Sequence, residues 1–198
     1  MMNNKLKTAE RLIDNLELDK ALPLVHSLID LGVVEAYGML AYIYDYKHQT
    51  LGMYNKKIIK NAYTKYYEEL EKDFNNGNLL SGMKLAGALR FYMSNNIDQN
   101  DKKALFIYQK CASNGLDKAA IILSEIYRMG DLGVKVDFDK SISLLEAAVK
   151  RENIEAMHEL GILLFKINKN KALNLIQMAA QRGYWQSIDY LASIHINN

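Results

Sequence analysis

The chain has 198 residues, of which 49% are hydrophobic and 24% are charged, and its formal net charge is +2. A chain of this length carries enough apolar side chains to bury the core of a domain of ordinary size. Basic and acidic residues alternate without a concentrated basic stretch, so nucleic-acid binding is not expected. One proline among many Ala, Leu, Lys and Glu residues predicts an all-α protein, because helix formers dominate and the strongest breaker is nearly absent.

The single cysteine, Cys111, excludes an intramolecular disulfide and a multi-cysteine metal site. Its place in an apolar helical pattern predicts a small buried side chain. Lys5 and Lys7 are followed by polar residues rather than by the apolar core of a signal peptide. Because no apolar run approaches the ~20 residues that span a bilayer, we expect a cytoplasmic protein without membrane contact.

Apolar residues recur with helical spacing along the whole chain and predict about eleven helices. The second helix is expected to begin after an N-cap at Asp19, with Pro23 in its first turn. The third is expected over 34–46, followed by an irregular connection over 47–55. The other helices are expected at 4–15, 56–75, 79–93, 102–115, in two parts of 116–153, and at 154–167, 168–183 and 184–196, with a polar loop over 94–101.

Small and apolar residues recur at fixed offsets in the first helix of each helix pair. In each series a small residue is followed by Leu four positions later and by a second small residue five positions later. The second small residue is Ala or Gly in four series and Ser in the other. The series start at Ala36, Ser81, Ala119, Ala156 and Ser187. Positions four and eight share a helix face and form a packing ridge, whereas the small residues let a neighbouring helix approach closely.

A recurrence of about 32–38 residues is typical of a solenoid of stacked helix pairs. The pattern resembles the Sel1-like repeat, a relative of the tetratricopeptide repeat. The stretch 119–153 departs from that motif at Ser124, Ser141 and Glu152. It matches the motif at Ala119, Leu123, Tyr127, Gly130, Gly133, Val134, Asp137, Lys140, Ala147 and Ala148. The resemblance implies a right-handed α-solenoid of antiparallel helix pairs.

We expect a single helical-repeat domain over 1–198, in which the repeat over 34–78 has an enlarged loop and could carry a specific binding site. The expected parts are an N-terminal helix pair (1–33), repeats at 34–78, 79–116, 117–153 and 154–184, and a C-terminal capping helix (185–198).

No residue pattern points to catalysis, a cofactor or a metal. His26 and Asp30 lie one helical turn apart, but zinc needs three or four ligands, so a surface hydrogen bond is expected. Relatives with a cysteine pair in each repeat are linked to β-lactam binding or hydrolysis, and this chain lacks those pairs. We expect a non-enzymatic protein; the alternative is a hydrolase with an unrecognised site that uses Cys111 or a histidine.

The resemblance implies that the first helix of each pair lines a concave groove. Positions two, six and nine after the motif's small residue lie opposite the buried Leu. The candidate partner-binding residues at these positions are Tyr42, Asp45, Arg90, Glu125, Arg128 and His158. The other residues at the same offsets are Gly38, Met83, Gly87, Ile121, Ile162 and Phe165. Tyr and Arg are favoured anchors at protein interfaces.

The expected partner is therefore a protein or peptide, bound by a monomer or weak dimer of bacterial origin. An adaptor or regulator role is the leading interpretation, and neutralisation of a cognate toxin by an immunity protein is the alternative.

Overall fold

The computed structural model describes residues 2–53, 56–91 and 100–196, and within them the chain forms eleven α-helices and no strand. The helices are α1 (Met2–Asp14), α2 (Leu18–Asp30), α3 (Val34–Leu51), α4 (Lys56–Asn75), α5 (Leu79–Phe91), α6 (Asp101–Ser113), α7 (Asp117–Met129), α8 (Phe138–Lys150), α9 (Ile154–Leu164), α10 (Lys169–Gln181) and α11 (Trp185–Ile196). The all-α prediction is confirmed. The predicted loop over 94–101 lies largely outside the described residues, as do the last positions of the predicted helices over 79–93 and 185–198.

The helices form two compact units, Met1–Asn100 and Asp101–Asn198. In the first unit the core includes Val25, Leu28 and Ile43, which are fully buried. In the second unit α8, α9 and α10 share a core that includes Leu145 and Leu160. Helices of this length are marginal alone, so packing between neighbours stabilises them. The single domain over 1–198 stays a prediction.

The small residue that opens each series and the motif Leu of three helices are buried. The small residue that opens each series is 0% exposed at Ala36, Ala119, Ala156 and Ser187 and 3% exposed at Ser81. The Leu four positions later is 2% exposed at Leu85 and Leu123 and 1% at Leu160. The predicted packing ridge is therefore confirmed in these three helices.

Two departures from the repeat motif compensate for each other. Ser124 of α7 and Ser141 of α8 are both buried, and their Oγ atoms lie 2.9 Å apart in a hydrogen bond. A buried hydroxyl without a partner would cost free energy, and here each serine satisfies the other. Asp117 at the start of α7 pairs with Arg151 just after α8 at 2.6 Å, so α7 and α8 run antiparallel.

The third departure lies in a left-handed turn. Glu152 follows α8 with φ of 64°, where the motif has Gly. A residue with a Cβ atom costs roughly 1–2 kcal/mol in this conformation relative to Gly. Gly115 and Gly183, with φ of 86° and 85°, close the equivalent turns after α6 and α10. The turn after α8 therefore keeps the left-handed geometry of the repeat with Glu in place of Gly.

The start of α2 differs from the prediction. The helix begins at Leu18, its N-cap is Glu17 without a side-chain capping bond, and Pro23 lies inside the helix rather than in its first turn. Asp19 is not the N-cap. Its carboxylate instead accepts a hydrogen bond from Lys47 of α3, so a contact between two helices replaces the expected local one.

The predicted irregular connection over 47–55 is wrong in its first part. Helix α3 continues to Leu51 and ends at Gly52, which adopts a left-handed φ of 65°. Lys47 is only 4% exposed, and its ion pair with Asp19 satisfies the buried ammonium group. Residues 47–51 stay helical because this contact holds the helix and no breaker precedes Gly52.

No helix in the ranges 2–53, 56–91 and 100–196 is both long and apolar enough to cross a bilayer.

Candidate interaction groove

The second unit contains a groove of about 890 Å³ between the first helices of successive helix pairs. Among the residues that line it are Ile121, Glu125 and Arg128 of α7, Glu155, Glu159 and Ile162 of α9, Phe165 and Lys166 directly after α9, and Tyr190 of α11. We refer to this site as the α7–α9–α11 groove.

Helical spacing explains why these side chains share one surface. Glu125 and Arg128 lie four and seven positions after Ile121, so the three residues follow one face of α7. Glu155, Glu159 and Ile162 repeat the same spacing on α9. The motif Leu of each helix points the other way and is buried. The stacking positions and the groove positions therefore occupy opposite faces of the same helices.

The structure brings together two of the predicted site residues in this groove. Glu125 and Arg128 are exposed and line it, together with Ile121, Ile162 and Phe165, which the same offsets had singled out. The prediction of an exposed face at positions six and nine therefore holds for α7.

His158 does not lie on this surface, although its offset predicted an exposed position. The side chain is 9% exposed, and its Nδ1 atom lies 2.8 Å from the Oγ atom of Ser187 in α11. Its ring packs 5.3 Å from the ring of Tyr184 and 6.3 Å from that of Tyr190, centroid to centroid. Burial lowers the pKa of His158. Because α11 packs directly onto this part of α9, His158 joins the interface between the two helices.

The other three predicted residues belong to the first unit. Tyr42 is 43% exposed on α3, and its ring centroid lies 6.2 Å from that of Tyr46. Asp45 is half-buried and accepts a hydrogen bond of 3.1 Å from Gln49. Arg90 is half-buried in the last turn of α5. A role of these residues in binding stays a prediction.

Sequence reasoning missed Glu155 and Glu159. They lie one position before and three positions after Ala156, outside the offsets used to search the face. Their spacing of four residues, continued by Ile162, was the available signal, because residues at this interval share a helix face.

The carboxyl group of Glu159 has a raised pKa. Burial raises the pKa of its carboxyl, and the carboxylates of Glu155 and Glu125 raise it further, while Arg128 offsets them only in part. The pKa of Tyr184 is also raised, first by burial and then by Glu155 and Glu159. The groove therefore combines apolar side chains with charged side chains of both signs.

We expect Glu159→Gln to raise the melting temperature at pH 7. The raised pKa means that the folded chain holds the Glu159 proton more tightly than the unfolded chain, so stability falls as the pH rises through this pKa. Gln removes the ionised carboxylate and with it this loss. Thermal melts should show the gain at pH 7 and a smaller gain near pH 4, and an equal gain at both pH values would contradict the assignment.

Cys111 does not have the surroundings of a nucleophilic cysteine. Cys111 is fully buried, and burial raises the pKa of its thiol, whereas a nucleophilic cysteine needs an exposed, easily ionised thiol. Within residues 2–53, 56–91 and 100–196 no group of three or more His, Cys, Asp or Glu side chains is placed to hold a metal ion.

Antiparallel helix pairs with small residues at their crossings are the building units of helical-repeat folds. A Sel1 repeat protein from Oxalobacter formigenes matches 64% of this chain and 96% of its own, with a TM-score of 0.55 and 23% identity. A Sel1 repeat protein from Klebsiella pneumoniae matches 98% of this chain and 93% of its own, with a TM-score of 0.51 and 16% identity.

A third structure is a protective antigen of uropathogenic Escherichia coli strains with an SLR fold. It matches 82% of this chain with a TM-score of 0.53 and 20% identity, and this chain spans only 41% of its length. No protein-family model and no curated protein sequence matches the chain. The chain thus has the Sel1-like repeat fold, and the resemblance expected from the sequence is confirmed for the fold.

Proposed function

We propose that this protein binds a segment of a partner protein in the α7–α9–α11 groove and acts as an adaptor or regulator. The observation that carries the proposal is that the helix faces left unused by stacking converge on one groove of about 890 Å³. The proposal includes a bacterial origin and a cytoplasmic location. The bacterial origin is supported by the Sel1-like repeat fold of proteins from bacteria.

The composition of the groove suits a protein ligand. Ile162 and Phe138 expose 37% and 52% of their surface there, beside charged side chains of both signs. Apolar and aromatic side chains with a charged rim are typical of protein interfaces. Regular helices on either side favour an extended or helical segment as ligand.

The residues proposed for binding differ in part from those first predicted. Glu125 and Arg128 stay, and Glu159, Ile162 and Phe165 join them because they line the same groove. His158 is no longer proposed to contact the partner, since its side chain is buried against α11. Tyr42, Asp45 and Arg90 remain proposed contacts of the first unit.

We expect Ile162→Asp to abolish capture of the partner. The substitution replaces an apolar contact by a fourth carboxylate, since Glu125, Glu155 and Glu159 already line the groove. The full chain serves as bait in a pull-down followed by mass spectrometry, beside the matched control Phe106→Asp, which changes an α6 side chain that is 60% exposed and does not line the groove.

A protein captured by the wild type and by Phe106→Asp, but lost with Ile162→Asp, would support the proposal once circular dichroism shows that all three chains are folded. Equal capture by the two variants would contradict it. A toxin as the captured protein would favour the immunity role over the adaptor role.

A further inference from the structure

A buried histidine lies between α9 and α11. The side chain of His158 is 9% exposed, and its Nδ1 atom lies 2.8 Å from the Oγ atom of Ser187, which is fully buried. The rings of Tyr184 and Tyr190 pack on the same imidazole, with centroids 5.3 Å and 6.3 Å away. We refer to these four side chains as the α9–α11 contact. It encloses a group that ordinarily changes its charge between pH 5 and 8.

The α9–α11 contact favours the neutral imidazole. Burial lowers the pKa of His158, because the charged ring loses its water. The hydroxyl of Ser187 donates to a neutral ring nitrogen or accepts from a protonated one, so this hydrogen bond is possible in either state. The two tyrosine rings would attract a charged imidazole, but they offset the lost hydration only in part, since the pKa is lowered in spite of them. Protonation is therefore opposed by burial and not by the hydrogen bond.

The lowered pKa of His158 is due to burial rather than to a neighbouring charge. The tyrosines that pack on the ring are neutral at pH 7 and below. The charged residues of α9 and of the helices that adjoin it on the groove side and the α11 side include Glu155, Glu159, Glu125, Arg128, Lys169 and Asp189.

Helix α11 is held less firmly than the helices in the middle of the array. Trp185 and Ile188 on its outer side expose 68% and 51% of their surface. The Oε1 atom of Gln186 is buried without a hydrogen-bond partner in the part of the chain that the structure describes, which disfavours the packed position. A helix of 12 residues is marginal on its own, and the ends of a folded chain open more easily than its core. Helix α11 is therefore sensitive to the loss of a single contact.

We propose that the α9–α11 contact is a pH-sensitive switch, in which protonation of His158 releases α11 from α9. The neutral ring stabilises the packed state. This stability is complete above the pKa of an unburied histidine, about 6.5, and decreases as the pH falls from there towards the lowered pKa of the packed state. Mild acid is therefore sufficient to shift α11 towards the released state.

Release of α11 changes the α7–α9–α11 groove. Tyr190 lines the groove and packs edge-to-face on Phe165, with ring centroids 5.8 Å apart. When α11 leaves, the groove loses this side and Phe165 loses the ring that orients it. Acidification is therefore expected to release a bound partner segment. This consequence rests on the proposed function, whereas the release of α11 itself does not.

Hydrogen–deuterium exchange of the full chain without a partner tests the switch. The protection factors of the amides over 185–196, corrected for the intrinsic effect of pH, should fall several-fold between pH 7 and pH 5. The fall is limited to about tenfold per pH unit, because one proton is bound. His158→Gln should remove this pH dependence, and the matched control His26→Gln, which changes an exposed histidine of α2, should keep it. Unchanged protection of α11 in the wild type, or the same pH dependence in all three chains, would overturn the proposal.

An NMR titration of the wild type makes the test independent of how the variants fold. The C2 proton of His158 should titrate at a lower pH than that of the exposed His26, and an equal midpoint would overturn the proposal.

A pull-down then tests the effect on the groove. Partner captured at pH 7 should elute near pH 5 from the wild type and stay bound to His158→Gln. Retention by the wild type near pH 5 would overturn the link between α11 and the groove. Absence of capture at pH 7 would contradict the proposed function, and the exchange and NMR results would still decide on the switch.

Discussion

Leu160→Ala lowers the free energy of unfolding by about 2–5 kcal/mol, as expected when a fully buried leucine is truncated. Leu160 is 1% exposed and lies at the motif position that stacks α9 on its neighbours. Ala leaves a cavity that the helices around it fill only in part, because each is held by further contacts. Urea unfolding followed by circular dichroism measures the loss.

The matched control lies two residues further along α9. Ile162 faces the groove and is 37% exposed, so Ile162→Ala should cost less than about 1 kcal/mol. The same variant should weaken capture of the partner. Equal costs for the two substitutions would contradict the division of α9 into a stacking face and a groove face.

Gly161→Leu prevents α9 and α10 from packing and is expected to unfold the second unit. A Cβ atom at this position would lie 2.5 Å from Cγ1 of Ile176 and 3.1 Å from the backbone oxygen of Ala172. The backbone of α10 cannot turn aside as a flexible side chain can, so the helices must separate and forfeit their shared core. The cost exceeds the roughly 1 kcal/mol of helix propensity gained when Gly is replaced.

Ala147→Leu is the control for this substitution, since it adds a large side chain to an exposed position of α8. We expect the control to change the free energy of unfolding by less than about 0.5 kcal/mol. A Gly161→Leu chain that melts like the wild type would show that the close approach of α9 and α10 is not required.

The helices and the repeat could be predicted because both depend on the spacing of apolar and small residues along the chain. Ala119, Leu123 and Ala156 are buried as their offsets required. The pairing of Ser124 with Ser141 was not predictable in the same way, because two separate departures from a motif become one contact only when the register of α7 on α8 is known.

The error at the end of α3 has a similar cause. The residues over 47–50 are polar, so they predict exposure and do not continue the apolar spacing of the helix. The burial of Lys47 depends on Asp19, which lies 28 positions earlier in the chain. A long-range ion pair of this kind leaves no periodic signal.

The groove was predicted in part. Glu125 and Arg128 followed from the offsets of the motif, but those offsets assigned an exposed face to His158, which α11 covers. They also did not include Glu159, whose raised pKa depends in part on charged residues of two helices. Which helix covers which face is decided by stacking, and a single repeat does not contain that information.

Site-specific photo-crosslinking tests the central claim, that the α7–α9–α11 groove holds the partner, most directly. Benzoylphenylalanine is placed at Ile162 inside the groove or at Phe106 outside it, and each full-length chain is irradiated with the captured partner. Binding of the partner in the groove predicts a covalent adduct from position 162 and none from position 106. An adduct from position 106 without one from position 162 would contradict it.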